Sequence, residues 1–177
     1  MSLASPPATT LAAARPDEAP VLANLLELYI HDLSETFPVA PDATGRFGYE
    51  RLPLYWQEPG RRFPFLIRTG GALAGFALAT RGSPATDEPD DLDVAEFFVL
   101  RRERRSGVGR DAAFQLWDAF PGRWIVRVSH GNRGAQPFWE RVVGEYTGGE
   151  FLRWQAPGSP HPWTVYALRS RRGARQG

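Results

Sequence analysis

A strand, a glycine-containing loop and a helix follow one another in the middle of the chain, and this order constrains the fold most. The apolar run "VAEFFVL" (94–100) precedes "RRERRSGVGR" (101–110), the helical pattern "GRDAAFQLWDAF" (109–120) and a second apolar run, "RWIVRVS" (123–129). Strands joined through a helix pair in parallel with a right-handed crossover. The sequence therefore predicts a β-α-β unit inside a larger sheet.

The flanking segments add five strands and three helices, read from apolar periodicity and from Gly and Pro punctuation. Gly70 and Gly71 between two β-rich runs predict a hairpin turn. The predicted strands are 9–16, 63–69, 72–80, 146–156 and 162–170, and the predicted helices are 18–37, 49–60 and 135–143. The order β-α-α-β-β-β-α-β-α-β-β predicts an α/β domain with a mixed central sheet of about seven strands and helices on both faces.

The length of 177 residues fits one domain. We expect residues 1–170 to form it and 171–177 to be a disordered basic tail. The acidic segment 83–93 is expected to be a mobile loop. Without an apolar stretch of membrane-spanning length or a signal peptide, the sequence predicts a soluble, cytoplasmic protein that does not enter a membrane.

Composition narrows the chemistry. The chain has no cysteine, which excludes thiolate nucleophiles and cysteine-ligated zinc, and His31, His130 and His161 lack metal-ligand spacing, so we expect no metal. All 21 basic residues are arginine, so no lysine can serve a P-loop or form a Schiff base. Because the formal net charge is only +1, a phosphate site here requires arginines and backbone amides close together.

The loop 101–110 is suited to hold a phosphate. Gly107 and Gly109 allow a sharp bend in which amides converge, and the helix that starts near Val108 adds unpaired N–H groups. A dinucleotide site is disfavoured, because "RRERRS" separates the strand from the first glycine and no acid ends the next strand. A nucleic-acid patch is disfavoured because no exposed aromatics accompany the arginines, so we expect no nucleic-acid partner. A merely solvated turn stays possible.

Two motifs resemble those of the GNAT superfamily of acyl-CoA-dependent N-acyltransferases. "RRSGVG" (104–109) matches its signature (Q/R)xxGx(G/A), and "NRGAQPFW" (132–139) is similar to its second element, NxxAxxFY. The element order is also that of the superfamily, so the resemblance covers the whole chain. The stretches "LYIHDLSE", "FGYERLPLYWQEP", "PFLIR" and "AEFFVL" further resemble a bacterial subgroup of predicted acetyltransferases.

The resemblance implies acetyl-CoA as co-substrate, bound where 94–100 and 123–129 splay apart. The pantetheine arm would pair with backbone near Phe97 and Val99, the pyrophosphate would lie on the loop amides, and Asn132 would reach the arm. The residues expected to bind coenzyme A are Phe97, Val99, Arg104, Arg105, Ser106, Gly107, Val108, Gly109, Arg110, Asn132, Phe138 and Trp139.

Attack of an amine on a thioester requires a base and a proton donor for the leaving thiolate. Glu96 is the candidate base because it lies on the strand beside the expected thioester, although it could equally pair with an arginine; Asp93 is the reserve. Trp139 stands where many family members have the tyrosine acid, and an indole cannot supply a proton near neutral pH. Tyr146 is the alternative acid. The absence of cysteine favours direct transfer in a ternary complex.

The acceptor is expected to be a small-molecule or peptide amine, bound by the first helices and the final hairpin. The candidate residues are Tyr29, His31, Asp32, Glu35, Tyr49, Tyr55 and Trp56, whose acids and aromatics suit a cationic amine, although the aromatics could equally be core. A monomer or a homodimer is expected. The alternative function is an acyl-CoA-binding or regulatory protein on the same fold, with little or no turnover.

Overall fold

A computed structural model describes residues 8–171, and these residues form one α/β domain. The strands are β1 (Thr9–Ala13), β2 (Arg62–Thr69), β3 (Ala72–Arg81), β4 (Leu92–Val99), β5 (Arg123–Ser129), β6 (Leu152–Ala156) and β7 (Trp163–Arg169). The helices are α1 (Ala19–Leu33), α2 (Leu54–Gln57), α3 (Val108–Ala119) and α4 (Ala135–Thr147). Short 3-10 turns at Pro16–Glu18 and Arg101–Glu103 precede α1 and α3. The predicted order of strands and helices is confirmed.

All seven strands lie in one sheet in the order β1-β2-β3-β4-β5-β7-β6. Only β4 and β5 pair in parallel, as the central β-α-β unit requires. Gly70 and Gly71 both have positive φ and close the β2–β3 hairpin. α3 and α4 pack on one face around Trp117 and Trp139. α1 and α2 pack on the other face through Leu22, Leu26 and Tyr55, so helices cover both faces as predicted.

β4 and β5 pair over a short length and then separate. Their register covers only Leu92–Val94 and Trp124–Val126, although both strands continue beyond these residues. On its other side β4 stays paired with β3, where the partners shift from Glu96 to Val94, leaving Ala95 as a β-bulge. The gap between β4 and β5 beyond Val94 is the splay that the sequence analysis expected.

α4 is longer than predicted and ends at Gly148, whose φ of +65° is typical of a helix C-terminus. Tyr146, predicted at the start of a strand, therefore lies in the last turn of this helix. Arg171, assigned to the tail, packs against the domain by donating its backbone N–H to the Tyr146 hydroxyl at 2.9 Å. The rest of the predicted tail lies outside the described residues. Within residues 8–171 no helix is long and apolar enough to cross a membrane.

Substitution of Gly75 tests how closely β3 packs against the end of β4, just before the loop that contains Gly107. A β-carbon on Gly75 would collide with the carbonyl of Phe98, which belongs to the backbone and cannot move aside. Gly75→Ala should therefore lower the free energy of unfolding by about 1–3 kcal/mol, the usual cost of overpacking. Urea denaturation measures this change. Gly60→Ala is the control, because nothing lies within 4 Å of that site, and equal stability of the two variants would contradict the packing described.

Candidate functional site

A cleft of about 690 Å³ opens where β4 and β5 separate. Its floor is formed by residues 94–97 of β4 and 126–129 of β5, with Asn132 and Trp139 beyond them. Its walls come from α1, the segment around α2, and the loop between β3 and β4. The wall residues include Tyr29, Leu33, Phe37, Tyr49, Arg51, Tyr55, Glu58, Arg61, Arg62, Arg81, Pro84, Asp87, Glu88 and Trp163. The cleft at the predicted splay is therefore the candidate functional site.

Glu96 is the central carboxylate of the cleft. Tyr29 on α1 donates its hydroxyl to Glu96 Oε2 at 2.7 Å, and Tyr49 donates to Oε1 at 3.1 Å. Burial raises the pKa of Glu96 above its usual value, although the two tyrosine hydrogen bonds and the nearby Arg127 act against this rise. Burial and the neighbouring carboxylate also raise the pKa of Tyr29 and Tyr49, which keeps both hydroxyls protonated as donors. This arrangement can accept a proton at a pH nearer neutrality than an ordinary glutamate.

Asp93 and Arg127 form an ion pair beside Glu96. Arg127 donates from Nε to Asp93 Oδ2 at 2.9 Å and from Nη2 to Oδ1 at 2.7 Å. Asp93 is completely buried and also accepts the Ser83 hydroxyl. The guanidinium lies 5.4 Å from the ring centre of Trp163. Asp93 is thus held in a buried ion pair, and the structure does not leave it as a free carboxylate for the reserve role of base.

The loop before α3 presents unpaired amides. Gly107 has a φ of +92°, which an L-residue adopts with strain, and Arg105 also has a positive φ of 62°. Within residues 8–171, the amides of residues 105–110 donate no hydrogen bond to other backbone or side-chain groups. Unpaired amides at the positive end of a helix dipole can hold an anion, so residues 105–110 are the candidate anion-binding turn, and phosphate binding there stays a prediction.

The arginines around this turn are largely engaged with carboxylates. Arg101 and Arg104 both pair with Asp32 of α1, at 2.7 and 2.8 Å. Arg104 also donates from Nε to the Val99 carbonyl at 2.8 Å, the strand end where we expected the pantetheine arm to pair. Arg110 pairs with Asp111. Asp32 therefore holds arginines of the anion-binding turn, and its assignment to the acceptor site is wrong.

The other predicted coenzyme A residues gather at the same end of the cleft. Phe97, Asn132 and Trp139 line it, and Trp139 packs edge-on against Phe97 with 5.0 Å between ring centres. Phe138 lies over Gly109, where a β-carbon would approach its ring to 3.1 Å. A side chain at position 109 would therefore have to displace the Phe138 ring. The structure brings the two sequence motifs together.

Tyr146 lies away from the cleft. Its hydroxyl donates to Asp118 at 2.6 Å and accepts the Arg171 amide, and its ring packs against Trp117 in the core. Burial raises its pKa to about 12. Its assignment as the acid is wrong, because the strand predicted here is the end of α4 and points the ring into the core.

The predicted acceptor residues divide into two groups. Tyr29, Tyr49 and Tyr55 line the cleft. His31 packs edge-on near Phe47, and Glu35 is exposed outside the cleft. Trp56 donates its indole N–H to the Ala14 carbonyl at 2.9 Å. The final hairpin contributes Trp163 of β7 but none of residues 149–155. His31, Glu35 and Trp56 are therefore wrong as acceptor contacts, and of the final hairpin Trp163 lines the cleft.

Sequence reasoning missed several cleft residues. Arg127 carried a signal, namely an arginine in the middle of the apolar strand "RWIVRVS". The acidic loop after β3 was expected to be mobile, but Thr86 and Arg123 both bond to the buried Asp91 carboxylate at 2.7 and 3.2 Å. This loop lines the cleft through Asp87 and Glu88.

Comparisons with known proteins agree with this geometry. The model of the acetyltransferase (GNAT) family matches residues 22–144. An acetyltransferase from Thermus thermophilus has 20% identity and a TM-score of 0.65, with 91% of this chain and 96% of that chain covered. The yncA protein of Salmonella typhimurium, with its cofactor acetyl-CoA, has 16% identity and a TM-score of 0.63, with coverage of 91% and 93%.

A third solved structure is aminoglycoside acetyltransferase AAC(6′)-Ib in complex with coenzyme A. It has 12% identity and a TM-score of 0.66, with 96% of this chain and 99% of that chain covered. At these identities the likeness is one of fold. No curated protein shows significant sequence similarity to the chain.

Tyr29→Phe tests the hydrogen bonding around Glu96. The hydroxyl stabilises the ionised carboxylate, so its removal should raise the pKa of Glu96 further. The carboxyl carbon shift of labelled glutamate, followed by NMR across pH, measures this change without any substrate. Tyr146→Phe is the control, because that hydroxyl bonds to Asp118. An unchanged or lowered pKa in Tyr29→Phe would contradict the described hydrogen bond.

Proposed function

Because the chain belongs to the GNAT family of acetyltransferases, we propose that it transfers the acetyl group of acetyl-CoA to a primary amine, by direct attack in a ternary complex. The observation that carries the proposal is the position of Glu96. This carboxylate lies where β4 and β5 part, with the unpaired amides of the α3 turn at the same end of the sheet. A base and an anion-binding turn thus flank one cleft.

The pyrophosphate of coenzyme A fits the turn at residues 105–110. Backbone amides without partners in the described residues gain hydrogen bonds when an oxyanion occupies the turn, and the α3 dipole favours negative charge there. Gly107 supplies the left-handed backbone that points these amides inward. Arg104 and Arg105 lie at the rim of the turn as charged donors.

The splayed strands hold the acyl arm. Beyond Val94 and Val126 the facing edges of β4 and β5 no longer pair with each other, which leaves room for an extended ligand between them. Side chains already bond to part of these edges, since Arg104 donates to the Val99 carbonyl and Gln136 donates to the carbonyls at the end of β5, and a ligand would replace these contacts. The side chains of Phe97 and Trp139 form an apolar wall beside this edge. The thioester supplies the activated acetyl group, and the wall restricts water around it.

Glu96 removes the proton of the acceptor ammonium, directly or through one water. Burial raises the pKa of Glu96 toward the working pH, and a general base is most effective when its pKa lies near that pH. Tyr29 and Tyr49 hold both carboxylate oxygens in place. Loss of this first proton frees the lone pair of the nitrogen, and the neutral amine attacks the carbonyl carbon. The C–S bond then breaks, and the second proton that the nitrogen loses passes through water to the departing thiolate.

The departing thiolate lacks an obvious side-chain acid. Trp139 stands in the position of the family tyrosine and Tyr146 is committed to Asp118. We propose that water in the cleft protonates the thiolate, whose ordinary pKa near 8.5 requires only weak assistance. The replacement of the family tyrosine also favours a second candidate function, an acyl-CoA-binding protein with little turnover, and the experiments below separate the two.

Gly107→Glu should weaken acetyl-CoA binding by at least about tenfold, corresponding to ~1.4 kcal/mol. The substitution strains the turn and places a carboxylate against phosphate. Gly149→Glu is a closely matched control, because φ is +91° there against +92° at Gly107, and the site lies in the turn after α4. Isothermal titration calorimetry measures both affinities. An equal affinity of Gly107→Glu and wild type would show that the turn does not bind the phosphates.

Glu96→Gln should lower kcat by about 10²–10⁴ while acetyl-CoA affinity stays unchanged, because only the base is lost. In the wild type, activity requires ionised Glu96, so kcat/KM should rise with pH through a pKa above the ordinary glutamate value. A thiol-release assay across amines and pH measures both effects. Glu35→Gln, outside the cleft, is the control. Acetyl-CoA binding without thiol release on any amine would favour the second candidate function.

A further inference from the structure

Arg127 is a cation in the floor of the cleft, and it is locked in place. Nε and Nη2 are bound to Asp93, which is completely buried, and the guanidinium lies over Trp163. The Arg127 side chain is only 18% exposed, and it lines the cleft. An arginine fixed on both its edge and its face loses little conformational entropy when it binds a further group.

One side of this guanidinium has no partner. Among hydrogen bonds within residues 8–171, none is donated by Nη1 of Arg127. An arginine that served only to neutralise Asp93 would not need to reach the surface of the cleft floor. The free N–H groups therefore present a fixed, charged donor to whatever occupies the acceptor side of the cleft.

Arg127 and Glu96 stand close together on neighbouring strands. Val94 of β4 pairs with Val126 of β5. Glu96 comes two residues after Val94, and Arg127 comes directly after Val126. Strands in a sheet are about 4.8 Å apart, so even with some splay the two head groups lie within the span of one small molecule. A ligand whose amine meets Glu96 therefore has its adjacent atoms beside Arg127.

Resting on the proposed function, we infer that the acceptor is an α-amino acid or a similar amine with an adjacent carboxylate, and that Arg127 is the residue that binds this carboxylate. A guanidinium donates to a carboxylate through parallel N–H groups, which would fix the amine toward Glu96. A phosphate dianion fits less well, because Asp93 and Glu96 repel the second charge.

Two arginines of the wider cleft agree with an anionic group on the acceptor. Five arginines line the cleft against four carboxylate side chains, and the buried Asp93 neutralises one of the five. The arginines are Arg51, Arg61, Arg62, Arg81 and Arg127, and the carboxylates belong to Glu58, Asp87, Glu88 and Glu96. Within the described residues Arg51 and Arg61 form no ion pair. The acids first expected to select a plain cationic amine, Asp32 and Glu35, lie elsewhere.

Matched acceptors test the inference. The thiol-release assay, with saturating acetyl-CoA, compares L-phenylalanine with phenethylamine and L-leucine with 3-methylbutylamine, which differ by the carboxylate alone. We expect the wild type to prefer each amino acid by at least tenfold in kcat/KM. Equal use of both members of each pair would overturn the inference and leave the acetyltransferase activity standing. Absence of turnover on every amine would overturn both.

The variant removes Arg127 together with its partner, as Asp93→Asn with Arg127→Met, because removal of the arginine alone would leave a buried charge unpaired. This double variant should lose the preference for amino acids, so that the ratio of kcat/KM between the members of each pair falls to near one. Glu140→Gln with Arg153→Met is the control, since it removes an ion pair between α4 and β6 whose residues do not line the cleft.

The same experiment separates acceptor binding from stabilisation of the reacting thioester. If Arg127 stabilised the oxyanion, the double variant would lose kcat/KM equally on both members of each pair, and the inference would be overturned. If only the amino acids lose kcat/KM, and chiefly through a higher KM, the arginine binds the carboxylate. Circular dichroism and acetyl-CoA titration on each variant confirm that folding and co-substrate binding are retained.

Discussion

β4 and β5 pair over only three residues before they part, and the cleft exists because of this separation. The bulge at Ala95 adds a second constraint. In a regular strand, residues three apart face opposite sides of the sheet, so Asp93 and Glu96 would be divided between the two faces. The extra residue in β4 returns Glu96 to the side of Asp93, where α1 supplies Tyr29 and β5 supplies Arg127. One irregularity in pairing therefore assembles the charged groups of the site.

The electrostatics of this group follow from its burial. Two carboxylates and one guanidinium lie side by side under the cleft, and Arg127 is bonded to Asp93 rather than to Glu96. Glu96 is left with two neutral hydroxyl donors, which stabilise a carboxylate less than a direct ion pair would. Desolvation consequently outweighs hydrogen bonding at Glu96, whereas Asp93 is held in a direct ion pair. The same chemical group thus lies in two different environments three residues apart, and this difference underlies the basic role that we propose for Glu96 alone.

Local patterns in the sequence were sufficient for the elements and for the anion-binding turn. The order of strands and helices, the hairpin at Gly70 and Gly71, and the amide-rich turn at Gly107 all depend on short-range spacing. The acceptor side depends on contacts distant in sequence, and there the reading failed for Asp32, His31, Glu35 and Trp56. Helical periodicity told which face of α1 is buried, but it could not tell that Asp32 would meet Arg101 and Arg104, about seventy residues away. Tyr146 was misplaced for a local reason, since α4 extends further than its apolar pattern indicated.

In the arginine-rich segment 101–110, ion pairs with carboxylates compensate most of the positive charge. Arg101 and Arg104 share Asp32, Arg102 bonds to Glu103 and Arg110 bonds to Asp111, so most of the positive charge is already compensated. The amides of residues 105–110 have no such partners among the described residues. On the proposed function, attraction of an anion would therefore depend first on the backbone of the turn, where Gly107 holds a left-handed conformation, and on the α3 dipole. Arg101, Arg102 and Arg104 are bonded to half-buried carboxylates, so they would reach a phosphate only by giving up these partners.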